Sequence, residues 1–177
     1  GERSAIRTYT SFEGEPGEGV VEVFLEAFAG QPRLVVGGAG PVADALAAIG
    51  AVVGLAVRAE APGSAGFEEA SRGLGAADAV VFVDHDDPAL VPALTGVLGG
   101  QVGYVGVMGS RRHTPGFVDR LRQAGIDLGR LHSPTGLDLG ARRPPEIALS
   151  ILAEVLAVTR ARRGGSLSIV QAEESPE

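Results

Sequence analysis

Four short stretches of this chain combine residue types that can do chemistry. The first is Gly38-Ala39-Gly40-Pro41-Val42-Ala43, which has the G-x-G-x-x-A spacing of a dinucleotide-binding turn. Gly38 would make the tight turn and Gly40 would let the backbone approach a pyrophosphate. The N-terminus of the helix that follows would attract its negative charge. The same residues also suit a plain glycine turn that packs a strand against a helix. A nucleotide site wants an acid ~20 residues further on, to bind the ribose hydroxyls. That region reads AVRAE, with Arg58 at the expected spacing and Glu60 two residues late. An arginine there fits a 2′-phosphate, and so NADP, or else a turn that holds no adenosine ribose.

The second stretch is Asp84-His85-Asp86-Asp87. Carboxylates and an imidazole after a strand can bind a metal or do acid–base work. Asp87-Pro88 also has the look of a helix cap with proline at the first helical position, so His85 and Asp86 are the functional candidates. Without further ligands of clear spacing, no metal is expected. The third is Gly109-Ser110-Arg111-Arg112, at the end of YVGVMGSRRH. Backbone N–H groups, a hydroxyl and guanidiniums make a phosphate loop, although a solvated basic patch has the same composition. The fourth is HSPTGLDLGARRPPE, residues 132–146, in which Gly136 and Gly140 bracket Asp138. It reads equally as a binding loop or as a turn in which Asp138 bonds its own backbone. Neither a Ser-His-Asp order nor a paired-carboxylate spacing is convincing, so no catalytic residue is assigned.

These stretches need elements to hold them. RLVVGGAGPVADALAAIG reads strand, glycine turn, helix, and AVVGLAV (51–57) and AVVFV (79–83) read as further strands buried on both faces. Helices are expected over 67–74, 88–98 and 114–125, with another strand in QVGYVGVMG. LHSPTGLDLGARRPP is a loop with room for a short strand. PEIALSILAEVLAVTRARR is the longest helix, with prolines at its start and arginines at its end. Its apolar residues, Leu149 included, spread around the circumference and predict a largely buried helix. This alternation defines an α/β fold: a doubly wound, Rossmann-like, mostly parallel sheet with helices on both faces. All four loops then leave strands at one edge and converge on one cleft for an anionic, phosphorylated small molecule.

The expected organisation is a flexible, Gly/Glu-rich arm over 1–19, a Rossmann-like domain over 20–163 opening with the strand VVEVFLE, and a polar tail over 164–177. In that tail Leu167, Ile169 and Val170 could add an edge strand. At 177 residues and 45 % apolar content, the chain can bury a full core. A net charge of −7 argues against a nucleic-acid surface. No apolar run nears the ~20 residues of a membrane span, and with no signal pattern the cytoplasm is the default compartment. There is no cysteine, so no disulfide, thiolate zinc site or thiol nucleophile. All 15 basic residues are arginine, and lysine and asparagine are absent, as a GC-rich genome would produce. Homo-oligomerisation is left open.

PRLVVGGAGPVADALA, the strand end with His85-Asp86, YVGVMGSRRH and HSPTGLDLGARRPPEIALSILAEVLAV together resemble the XdhC/CoxI family over residues 20–160. These are bacterial accessory factors for molybdenum hydroxylases such as xanthine dehydrogenase and carbon monoxide dehydrogenase. The resemblance is to the family's C-terminal Rossmann domain. It implies a chaperone that binds molybdenum cofactor, as molybdopterin or its dinucleotide. Such a protein guards the cofactor during sulfuration and passes it to the apo-hydroxylase, with a cysteine desulfurase as second partner. The cofactor-contacting positions it implies here are Gly38, Gly40, Pro41, Arg58, His85, Asp86, Gly109, Ser110, Arg111, Arg112, Gly136, Asp138 and Gly140. Three departures stand out. Pro41 replaces the histidine of the family's G-A-G-H, Val57-Arg58 replaces its acidic pair, and its N-terminal cysteine-bearing domain has no counterpart. The chain is then expected to be a stand-alone half, a truncated form or a divergent paralogue. The competing readings are an NADP-dependent oxidoreductase and an interaction module that kept the fold without the ligand.

Overall fold

The computed structural model describes residues 3–10, 20–27, 30–109 and 114–167. Two compact units divide at Gln31/Pro32. The N-terminal unit contains an antiparallel pair, β1 (Arg3–Thr10) and β2 (Val20–Ala27), in register from Arg3↔Ala27 to Thr10↔Val20. This corrects two expectations. Residues 3–10, expected to be part of a flexible arm, form a strand, and VVEVFLE pairs with that strand instead of opening the Rossmann-like domain. The rest of the expected arm lies outside the described residues.

The second unit is the doubly wound domain. Its elements are β3 (Arg33–Gly37), α1 (Pro41–Val52), β4 (Ala56–Glu60), α2 (Ala65–Ser71), β5 (Ala79–Phe82), α3 (Leu90–Leu98), β6 (Tyr104–Val107), α4 (Thr114–Gln123), β7 (Leu131–His132) and α5 (Pro144–Thr159). The five strands are all parallel, in the order β4-β3-β5-β6-β7. β3, β5 and β6 are continuous apolar runs because both their faces are covered. One face packs Leu34, Val36, Val81 and Tyr104 against α1 and α5 through Leu46, Ile151, Leu152 and Val155. The other packs Val35, Val80, Phe82 and Val105 against α2, α3 and α4 through Phe67, Leu94, Phe117 and Leu121.

The expected strand over 51–57 is displaced. Helix α1 runs on to Val52, Gly54 turns the chain at φ +84°, and the strand occupies 56–60. AVVGLAV reads as one apolar run, yet Val52 is 86 % exposed because it sits on the outer side of the helix's last turn. Helix α2 covers 65–71 instead of 67–74, with the Ser64 hydroxyl accepting the Phe67 N–H at 3.1 Å. Helix α3 starts at Leu90, and Asp87 bonds the turn leading into it, accepting the Ala89 N–H at 2.8 Å. Helix α5 is largely buried as expected, with Pro145 and Leu149 as its exposed positions and Leu149 52 % exposed. Among the described tail residues no strand forms, and Ile169 and Val170 lie outside them.

Two arginines hold the opposite, amino-terminal edge of the sheet. Arg33 donates to Asp78 at 2.9 Å and to the carbonyls of Arg72 and Gly73 at the end of α2. Burial works to raise the Asp78 pKa, but the Gly75 N–H and Arg33 outweigh it and hold the carboxyl below its usual range. Arg130 donates to the carbonyls of Leu98, Gly100 and Val102, tying the last residue of α3 to the turn that follows it.

Candidate functional site

In the strand order β4-β3-β5-β6-β7, the chain reverses direction across the sheet between β3 and β5. An open α/β sheet forms its binding crevice at such a switch point, outside the carboxyl ends of the strands. The loop after β3 is Gly38–Gly40, and the turn after β5 begins at Val83. The two are pressed together. A Cβ added to Gly38, at φ +118°, would lie 2.8 Å from Val83 Cγ2 and 3.9 Å from Asp84 N. The Gly38 N–H donates to the Glu60 carbonyl at 2.9 Å, and the Val83 N–H to the Gly37 carbonyl at 3.0 Å. Gly38 therefore has no room for a side chain.

Gly40 differs. It sits at φ 109°, ψ −175°, a backbone region open essentially to glycine alone, yet a Cβ there would meet nothing within 4 Å. It is the N-cap of α1, with no side-chain cap, and Pro41 follows at the first helical position. The first intrahelical bond is Asp44 N–H to Gly40 C=O at 3.0 Å. The N–H groups of Val42 and Ala43 thus have no helical acceptor, which leaves a positive helix end bordering the crevice.

Across the crevice, Asp84, His85 and Asp86 bring one potential ligand atom each to within 4.8 Å of one another. His85 Nε2 is 3.7 Å from Asp86 Oδ2, and Asp84 is tied up in accepting the Asp86 N–H at 2.9 Å. A Cβ on Gly109 would lie 3.5 Å from His85 Cγ, so the imidazole rests against the end of the β6 strand run. Gly38, Gly40, Pro41, His85, Asp86 and Gly109 are therefore at the switch-point edge. Ser110, Arg111 and Arg112 lie outside the described residues.

The remaining predicted residues fall elsewhere. Arg58 is in the middle of β4, paired in register with Val35, and Glu60 closes the strand opposite Gly37. The position at the strand's carboxyl end, where an acid was expected and Arg58 was read, belongs to Glu60. Arg58 Nε donates to Glu60 Oε1 at 2.8 Å, and its Nη2 is 3.5 Å from Glu69 Oε2. These two carboxylates, Glu60 first, hold the guanidinium pKa above its ordinary value. Arg58 is thus ion-paired at the surface in mid-strand, with its side chain 49 % exposed. Gly136, Asp138 and Gly140 follow β7 at the far side of the sheet. Gly136, at φ +106°, lies so close to α5 that a Cβ would be 2.7 Å from Ser150 Oγ. Asp138 is exposed and makes no side-chain hydrogen bond among the described residues.

The structure also builds a polar cluster that the sequence reading missed. Glu154, in the middle of α5, accepts the Tyr104 hydroxyl at 2.5 Å and the Gly136 N–H at 2.7 Å. Its other oxygen is 3.3 Å from His132 Nδ1. Tyr104 also bonds Thr135 Oγ1, and its ring stacks on His132 at 4.5 Å between centroids. Burial would raise the Glu154 pKa, but His132, Tyr104 and the Gly136 N–H together lower it to about 2. Tyr104 is pushed above its usual range by burial and then by the neighbouring carboxylate. One local signal existed: Glu154 comes three residues after Ile151 and four before Val158, which places a carboxylate near the apolar side of a core helix.

Glycine loop, helix start and switch point together define a Rossmann-type domain. The family model for the XdhC Rossmann domain matches residues 34–155, and the chain belongs to that family. It is 31 % identical over 168 residues to the uncharacterized protein YqeB of Escherichia coli K12, covering 83 % of this chain and 31 % of that one. A crystal structure of a xanthine dehydrogenase from Bacillus halodurans is similar in fold. Its TM-score is 0.60 at 23 % identity, over 88 % of this chain and 50 % of that one. The chain thus spans about a third of one relative and half of the other. No helix among the described residues is long and apolar enough to cross a membrane.

Proposed function

We propose that this domain binds molybdenum cofactor, as molybdopterin or its dinucleotide, and helps deliver it to a molybdenum hydroxylase during maturation. The observation that carries the reading is the uncapped start of α1 behind Gly40 at the switch point, in a chain of the XdhC family. Two free N–H groups and an open glycine fit a phosphate, the group common to both cofactor forms. Residues Gly38 to Ala43 would hold it, with His85 and Asp86 opposite. Arg111 and Arg112 complete the anion loop as read from the sequence. The apo-hydroxylase and a cysteine desulfurase are the partners this role requires, with the cytoplasm as its compartment.

The test is binding of molybdopterin, followed by its fluorescence, and transfer to an apo-hydroxylase. Micromolar binding and a rise in hydroxylase activity are expected. No pterin binding by the full-length protein overturns the reading. In the same assay Arg111→Ala should weaken binding by about 1.5–3 kcal/mol, the worth of a charge-assisted hydrogen bond.

A second reading is a nicotinamide-dinucleotide-linked oxidoreductase. Glu60 at the end of β4, beside the glycine turn, favours it. Titration with NAD and NADP separates the two readings, and silence from both removes this one.

A further inference from the structure

The Tyr104–Glu154–His132 cluster does more than fill the space under a loop. Glu154 uses its carboxylate on three partners, and one of them is an imidazole. The carboxylate is ionised at neutral pH and has no proton to give. Glu154 Oε1 lies 3.3 Å from His132 Nδ1, a contact that calls for the proton on Nδ1. In the neutral imidazole Nε2 is then the nitrogen with the lone pair. His132 Nε2 has no partner among the described residues, and the side chain is 27 % exposed. A carboxylate that orients an imidazole while the other ring nitrogen stays open is the arrangement used where histidine meets a ligand.

Position supports this. His132 pairs in register with Gly106, one residue short of the carboxyl end of β6 at Val107, on the edge that carries the glycine loop. Gly106 leaves space on that side: a Cβ there would be 2.9 Å from Tyr104 Cε1 and 3.0 Å from Thr135 Cβ. The ring of Tyr104 can then lie flat beneath His132 and set its plane.

We infer that His132 is a ligand-contacting residue whose Nε2 accepts a hydrogen bond from a ring N–H of a heterocyclic ligand, with Glu154 and Tyr104 as its positioning residues. This rests on the cofactor-binding reading of the same sheet edge. From β3 to β7 the edge spans three strand spacings, ~14 Å. The ligand is therefore extended, with its phosphate near Gly40 and its ring near His132.

Nitrogen-15 NMR of the histidines in the full chain, titrated with molybdopterin, tests the inference. The free protein should show His132 as the Nδ1–H tautomer. Saturation should move its Nε2 resonance more than its Nδ1 resonance. His132→Ala should weaken pterin binding at least ten-fold. Glu154→Gln should lose the single tautomer and weaken binding, with a native circular dichroism spectrum. If either variant fails to fold, the wild-type resonances decide the matter alone. An Nε2–H tautomer, or an Nε2 signal that does not move while pterin binds, overturns this inference and leaves the proposed function intact. Absence of any pterin binding overturns both.

Discussion

The N–H of Gly38 donates to the carbonyl of Glu60 at 2.9 Å, joining the glycine turn to the last residue of β4. This bond extends the β3–β4 ladder past its last paired residues. It fixes the turn at the height where the crevice begins, and it makes Glu60, not Arg58, the residue next to the turn.

The two glycines of the turn should respond differently to substitution. Gly38→Ala meets both a forbidden φ and the Val83 side chain. Gly40→Ala meets only the backbone penalty, about 1–3 kcal/mol. Urea unfolding should therefore show Gly38→Ala as the more destabilised of the two. Gly40→Ala should also lose phosphate or pterin affinity out of proportion to its stability, because its methyl group would project into the ligand's approach.

Arg58→Ala should leave stability unchanged in urea unfolding. Its partners are at the surface, its side chain is 49 % exposed, and ion pairs of this kind contribute little. It should equally leave any NADP affinity unchanged, since Arg58 sits two residues before the carboxyl end of β4. A loss of NADP binding in this variant would restore the arginine to the site.

Arg130→Ala removes three bonds, to the carbonyls of Leu98 at the end of α3 and of Gly100 and Val102 just after it. The expected cost is about 2–3 kcal/mol, read as a lower midpoint in thermal or urea unfolding. Arg130→Lys should not restore it, because an ammonium cannot reproduce the planar fork that reaches three carbonyls at once.

Glu154 makes stability depend on pH in a defined direction. Its folded pKa of about 2 lies below the ordinary 4.5 of an unfolded glutamate. The stabilisation, on the order of 3 kcal/mol, is fully present above about pH 4.5. It is lost as pH falls towards 2, where the folded-state carboxylate takes up its proton. Urea unfolding at pH 7 and pH 3 should show this loss in the wild type. Glu154→Gln should be less stable at pH 7 and should show a flatter profile between the two.

Much of this protein follows from local pattern. The alternation of apolar runs with capped helices determined a parallel, doubly wound sheet. The G-x-G-x-x-A spacing located the turn after its first strand, and long motifs marked the XdhC family. These features are local, because a glycine at positive φ or a proline at a helix start acts within a few residues. Tertiary structure decided what depends on partners far apart in sequence. RSAIRTYT is a strand because VVEVFLEA pairs with it. AVVGLAV splits between helix and strand because Gly54 turns the chain and β4 takes its register from β3. That register, with Gly37 opposite Glu60, is what moves the acid to the strand end and Arg58 away from it. The cluster of Tyr104, His132 and Glu154 joins residues 50 positions apart, and no spacing in the chain announces it. A parallel sheet brings its carboxyl ends together only after every crossover is made, so its site residues meet only in the finished fold.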